Sequence, residues 1–223
     1  MAEIAKQRKY LSLEDLRQEY RLGELSETSC DSNPIAQFEL WIKQAQAADL
    51  KEPNATILAT ATRAGRPSAR VVLLKEVSAD GFVFYTNYES RKGRDLAENP
   101  YAALTFYWAE LERQVRIEGL VTKTSREQSE AYFRVRPKDS RIGALASNQS
   151  RILPSRKVLE ARMAELEARY ADTDDVPMPE YWGGYCLVPD MIEFWQGRPS
   201  RLHDRIRYTR QDGGTWTINR LAP

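Results

Sequence analysis

Apolar and polar residues alternate along this chain with two different periods, and the changes of period mark its elements. At Asn33-Pro34 a capping residue followed by proline opens a helix, in which Ile35, Phe38, Ile42 and Ala45 recur at helical spacing and beyond which Pro53 lies. From Ala55 short β-rich runs take over: ATILATAT at 55–62, ARVVLLKEV at 69–77, GFVFYTN at 81–87, YAALTFYWA at 101–109 and LERQVRIEGLVTKT at 111–124. Turn residues at 64–67 and 79–81 separate them at hairpin spacings, which predicts an antiparallel sheet. Five or so such strands suffice to close a small barrel, which removes exposed edges.

Helical periods return between and after these strands. Ser90 to Asn99 reads as a short helix stopped by Pro100, and Ser125-Arg126-Glu127-Gln128 as a capping box for a helix through Val135, ended by Pro137. After Pro154-Ser155 comes the most amphipathic pattern, with Val158, Leu159, Met163, Leu166 and Tyr170 on one face. The tail predicts four more strands, WGGYCLVPD, MIEFWQ, RIRYTR and TWTINR, the last two joined at Gly213-Gly214. Residues 1–30 are polar and charged and read as a mobile arm before one domain, 31–223, mainly β with flanking helices.

Composition narrows the function classes. The 223 residues include 33 Lys+Arg against 32 Asp+Glu, so no bulk field draws the chain to nucleic acid or an anionic membrane. No run approaches the roughly 18 to 20 apolar residues of a membrane helix, and MAEIAKQRKY lacks the apolar core of a secretory signal, which together predict a cytoplasmic protein. Cys30 and Cys186 have no CxxC partner, and His203 is the one imidazole, so no multi-histidine metal site exists. Neither GxGxxG after a strand nor GxxxxGK[ST] occurs, so a bound phosphate must meet side chains.

Candidate cations cluster. Arg70 and Lys75 bracket the apolar run VVLL, which predicts a buried strand whose odd spacing sends them to opposite faces. Arg91-Lys92 follow a serine cap, and Tyr132 and Arg136, four apart on a helix with Ser140 beyond it, suit a phosphate monoester. Gln114 falls on the polar face of its strand. The densest constellation, EFWQGRPSRLHDR at 193–205, sets Trp195, Arg201, His203 and Arg205 beside a glycine and suits a flat, anionic, heteroaromatic ligand.

RVVLLK at 70–75, FYTN at 84–87, SRKG at 90–93, ERQVRIEG at 112–119, YF, RP and DS within 132–140, and NQS at 148–150 appear in order. WGG at 182–184, IEFWQG at 192–197, RLHDR at 201–205 and the terminal RLAP follow. With these motifs the chain resembles the pyridoxine (pyridoxamine) 5′-phosphate oxidase family from about Arg17 to Pro223. The resemblance implies an FMN-binding split β-barrel that forms a homodimer, with FMN in two clefts at the subunit interface. It implies FMN contacts at Arg70, Lys75, Tyr85, Thr86, Arg91, Lys92, Gln114, Gln149, Ser150, Trp195 and Arg205. It puts the substrate phosphate at Lys75, Tyr132, Arg136 and Ser140, its ring beside Arg201 and His203, and a lid at Arg17 and Tyr20.

The implied reaction oxidises pyridoxine 5′-phosphate or pyridoxamine 5′-phosphate to pyridoxal 5′-phosphate, FMN taking the hydride and dioxygen reoxidising it to give hydrogen peroxide. This suits a chain with a single histidine and no metal ligands, because the cofactor carries the redox step. Arg201 and His203 then position the 4′ group and ease proton loss. Two other readings share the fold: a flavin reductase that uses a reduced nicotinamide, and a carrier that binds FMN or pyridoxal phosphate without turnover.

Overall fold

The computed structural model describes residues 19–223. Helix α1 (Pro34–Ala47) starts where the sequence predicts, with the Asn33 side chain accepting a hydrogen bond from the Ile35 N–H at 2.9 Å. Strands β1 (Ala55–Ala61), β2 (Pro67–Leu73), β3 (Glu76–Ser78), β4 (Gly81–Asn87), β5 (Tyr101–Trp108), β6 (Arg113–Lys123) and β7 (Trp182–Gln196) form an antiparallel sheet in the order β2-β1-β5-β6-β7-β4-β3. The outermost strands of that path, β2 and β3, are consecutive in the chain, separated by Leu74-Lys75. Leu74 N–H donates to the Asn54 carbonyl and Lys75 N–H to the Val83 carbonyl, so the sheet must curl until its ends meet.

Two expectations are corrected here. ARVVLLKEV is two strands with a corner at Leu74-Lys75, because closure needs the chain to leave β1 for β4 at that point. VVLL is not buried as a strand either: β2 bonds in the sheet only to β1, Val71 is 65% exposed and Val72 and Leu73 are half-buried, while Leu74 at the corner enters the core.

Strand β7 is one element where the sequence suggests two. It runs through Pro189, which cannot donate to the ladder, because β6 shifts register opposite it between Glu118 and Gly119. Its far edge is shared: residues 182–187 pair with β4 and residues 191–196 with β8 (Asp204–Arg210), which carries β9 (Trp216–Arg220). That division splits the barrel into two lobes.

Core side chains lie inside the curl. Phe84, Leu104, Phe106, Val115, Ile117, Phe194 and Ile206 are fully buried, and α1 plugs the opening with Phe38, whose ring meets Phe82 and Phe106 edge-on at 5.0 Å. Helices α2 (Arg91–Glu98), α3 (Arg126–Val135), α4 (Lys138–Ala146) and α5 (Arg156–Arg169) flank the sheet. The face predicted on α5 is only half covered, and no residue of α5 is fully buried, since it packs chiefly on the short α4. Of the expected arm, residues 1–18 lie outside the described residues. Within 19–30, Leu25 is buried and its N–H donates to the Asp204 carboxylate at 3.0 Å.

Candidate functional site

A cavity of about 550 Å³ opens between β4, the β2–β3 corner and the α3–α4 junction, lined by Lys75, Tyr85, Thr86, Lys92, Tyr132, Arg136, Ser140 and Gln149 among others. One wall is aromatic: Tyr85 stacks on Tyr132 at 4.0 Å and on Trp182 at 5.5 Å, the planes within 20° of parallel. Glycines at 183 and 184 permit this. A Cβ on Gly184 would sit 2.5 Å from Thr124 Oγ1 and 2.9 Å from the Tyr85 ring, and one on Gly183 would strike the Tyr88 hydroxyl.

Arg136 does not continue α3 as a helical residue. It is the C-cap with extended backbone, held there by Pro137, and α4 begins at Lys138 with Ser140 in its first turn. The turn still brings Arg136 beside Tyr132, its guanidinium 4.8 Å over Trp182. Its Nη1 is buried with no hydrogen-bond partner among the described residues. A buried guanidinium N–H with no acceptor is costly unless an anion completes it.

Besides Arg136 and Lys75 the cavity holds a third cation, Lys92, in the first turn of α2. The Ser90 side chain caps α2 by accepting from the Gly93 N–H. Lys92 Nζ donates to Gln149 Oε1 at 2.7 Å and Thr86 Oγ1 at 3.1 Å and has no carboxylate partner among the described residues. Burial, with Arg70 nearby, lowers its pKa to about 8. Arg70 itself donates to the Leu58 carbonyl, Thr60 and Ser68, with Asp95 at 3.7 Å. Arg91 is exposed, and Ser150 is exposed with a φ of 69°.

The remaining candidates gather elsewhere. Gln114, Trp195 and Arg205 are paired in register across β6, β7 and β8, with the core residues Val115, Phe194 and Ile206 pointing the other way. His203 packs 4.6 Å from Trp195, and Tyr20 meets both rings edge-on at 5.6 Å. The Arg198 N–H donates to His203 Nδ1 at 3.1 Å, which leaves the ring proton on Nε2. Burial, then the Arg201 charge, lowers the His203 pKa and favours that neutral form. Ser200 and Arg201 both adopt left-handed backbone, φ 57° and 61°, a strain that sites retain for a reason. Arg17 lies outside the described residues.

These two groups lie toward opposite ends of β7. Tyr85 pairs with Gly184, whereas Gln114 pairs with Trp195, and eleven residues at about 3.3 Å each separate those points by roughly 35 Å of strand. Sequence reasoning missed the acids that hold each group. Asp95, 5% exposed, accepts from Thr60 and faces Arg70. Glu193, 3% exposed, binds Arg205 through both oxygens at 2.8 and 3.1 Å and Arg116 at 3.3 Å. The available signal for Glu193 was a lone acid within the apolar run MIEFW. No group of three or more metal-ligating side chains exists among the described residues, and no helix among them is long and apolar enough to cross a membrane.

The curled sheet with its divided long strand places the chain in the class of split β-barrel proteins. A related FMN-binding protein from Nostoc punctiforme, 17% identical, shares that fold with a TM-score of 0.68 over 86% of this chain and 98% of its own. Residues 42–170 match the family model for pyridoxamine 5′-phosphate oxidase, and residues 182–223 match the pyridoxine 5′-phosphate oxidase C-terminal dimerisation region. The chain belongs to the pyridoxamine 5′-phosphate oxidase family. It is 60% identical to a pyridoxine/pyridoxamine 5′-phosphate oxidase of Paraburkholderia phymatum and 56% to one of Trichormus variabilis, each over 95% of this chain and 99% of the relative. PhzG from Burkholderia lata, solved with tetrahydrophenazine-1-carboxylic acid, is similar at 35% identity and a TM-score of 0.83, covering 89% of this chain and 98% of its own.

Proposed function

We propose that this chain is an FMN-dependent oxidase that converts pyridoxine 5′-phosphate and pyridoxamine 5′-phosphate to pyridoxal 5′-phosphate in the cytoplasm. It works as a homodimer whose sites each take residues from both protomers, with 31–223 as the FMN-binding domain. The observation that carries this reading is the buried, unpartnered Arg136 Nη1 in a cavity shared with Lys75, Tyr132 and Ser140, a donor set suited to a phosphate monoester.

FMN fits the remaining residues. Lys92 and Arg70 supply charge for its phosphate, with Lys75, Tyr85, Thr86, Arg91, Gln149 and Ser150 around it. Gln114, Trp195 and Arg205 form the flat outward row for its ring system, contributed by the partner protomer. When bound, FMN would supply the redox chemistry, accepting a hydride from the substrate's 4′ carbon and being reoxidised by dioxygen to give hydrogen peroxide, while water would hydrolyse the imine formed from the amine substrate and release ammonia. Arg136, Tyr132, Ser140 and Lys75 hold the substrate by its phosphate and so fix the 4′ carbon in place. His203, with its Nδ1 lone pair engaged by Arg198 N–H, presents Nε2–H as a donor, and Arg201 adds positive charge beside it. With the alcohol substrate both favour loss of the 4′ hydroxyl proton to solvent by stabilising negative charge on that oxygen, and with the amine the same positive charge favours the neutral amine over the ammonium.

Anaerobic addition of pyridoxine 5′-phosphate to the flavin-loaded protein is expected to bleach its visible absorption, and air to restore it. A flavin band indifferent to the substrate removes the oxidase reading. Bleaching by a reduced nicotinamide in its place makes the chain a reductase.

The Lys92 ammonium imposes a pH dependence on cofactor binding. Its pKa near 8 means that it is charged well below that pH and neutral above it, and a phosphate dianion favours the charged form. FMN affinity should therefore be level between about pH 7 and 8, where the phosphate is a dianion and Lys92 is charged, and fall above about pH 8, by up to about tenfold per pH unit. Lys92→Met should lower affinity at neutral pH and flatten that limb in a fluorescence titration. A wild-type affinity constant from about pH 7 to 9 would contradict the role given to Lys92.

A further inference from the structure

Glu112 stands on the turn between β5 and β6 with a left-handed backbone, φ 53°, and none of the chemistry above uses it. Its carboxylate oxygen Oε2 accepts two hydrogen bonds from consecutive backbone amides, Arg21 N–H at 2.8 Å and Leu22 N–H at 2.9 Å, 91 and 90 residues away in sequence. Its carbonyl accepts from Gly197 N–H at 2.7 Å and Gln196 Nε2 at 3.2 Å, which ties the turn to the end of β7.

The residue before those two amides is Tyr20, whose ring rests edge-on against Trp195 and His203. Gly197 makes room for it: a Cβ there would lie 2.7 Å from Tyr20 Cβ and 3.0 Å from Glu112 Cβ. Downstream the segment is held again, by Arg198 Nη1 on the Gly23 carbonyl at 3.2 Å and by Asp204 on the Leu25 N–H. The two adjacent amides on one carboxylate are the backbone anchor next to Tyr20, whose side chain also meets Tyr107, Trp195 and His203. Removing that acceptor leaves the Arg21 and Leu22 amides without a partner among the described residues, the next backbone anchor being at Gly23.

We propose that Glu112 is a positioning residue: its carboxylate seats the Arg21-Leu22 backbone and thereby holds the Tyr20 ring on the His203 side of the substrate site. The proposal rests on the oxidase reading for its effect on catalysis and on geometry alone for its effect on the segment. Gln retains a side-chain oxygen of the same reach, whereas Ala has none. Position 112 keeps its left-handed strain in either variant.

The test uses the full-length, flavin-loaded protein as wild type, Glu112→Ala, Glu112→Gln, Tyr20→Ala and the Glu112→Ala/Tyr20→Ala pair. Loss of two charge-assisted bonds at a half-exposed site should raise the KM for pyridoxine 5′-phosphate about tenfold in Glu112→Ala, with kcat changed by less than about twofold. Flavin content and Tm should stay at wild-type values. Glu112→Gln should remain within about twofold of wild type, and the double variant should be no worse than Tyr20→Ala, because Glu112 acts through that ring. Independently of turnover, limited trypsinolysis after Arg21 should run about tenfold faster in Glu112→Ala, since an amide released from its acceptor opens more often. Unchanged KM and unchanged cleavage in Glu112→Ala overturn the proposal, as do effects that multiply in the double variant. If wild type lacks oxidase activity, the cleavage rates alone decide: faster cleavage supports the tether, and equal rates refute it.

Discussion

Arg136→Met is expected to raise the KM for pyridoxine 5′-phosphate by about a hundredfold while the protein keeps its flavin. A hydrogen bond to a charged partner is worth roughly 1.5–3 kcal/mol, or about 10- to 150-fold, and burial of Arg136 Nη1 puts it toward the upper end. Methionine retains much of the stem volume against Trp182, so packing is conserved and the charge is what is lost. Lysine should recover only part of the deficit, because a point charge cannot replace a planar fork already stacked on an indole. The informative comparison is with unphosphorylated pyridoxine. Wild type should strongly prefer the phosphate ester, and Arg136→Met should lose most of that preference by becoming worse with the ester alone. An unchanged KM would show that the phosphate sits elsewhere.

Much of the scaffold was legible because it is local. The caps at Asn33, Ser90 and Ser125 each accept the backbone hydrogen bond that their residue type offers, and Gly213 and Gly214 both take positive φ at the β8–β9 turn. What escaped is what the closed sheet imposes. Leu74-Lys75 reads as mid-strand until β2 and β3 have to bond to different neighbours, and Pro189 reads as a break until the register shift in β6 absorbs it. VVLL is apolar on both faces yet runs from an exposed Val71 at a sheet edge to a buried Leu74 at the corner, so periodicity described its composition and not its surroundings. The same limit applies to the site. Tyr132, Arg136 and Ser140 were found together because the α3–α4 junction keeps them close in sequence. Asp95, Glu193 and Glu112 act on groups 25, 12 and about 90 residues away, at separations that carry no motif.

Two variants that each turn over little substrate at concentrations near the wild-type KM should restore one another there when they share a dimer. Arg136→Met damages the group at the Trp182 end of β7, and Arg201→Ala the group beyond its Gln196 end, with roughly 35 Å of strand between Gly184 and Trp195. A flavin with its substrate is shorter than that length of strand, which favours a reaction centre assembled from two chains. A two-fold dimer assembles one by setting the Trp182 end of one protomer against the Gln196 end of the other, and the C-terminal match to a dimerisation region covers the strands that carry the second group. In a heterodimer one site then collects both substitutions and the other collects none. Co-refolding equal amounts of the two variants should give heterodimers as half of all dimers, each with one intact site, and so about a quarter of wild-type turnover. Each variant refolded alone stays at its own low level. Were both groups to serve a site within one chain, every site in the mixture would carry a defect, and mixing would add nothing.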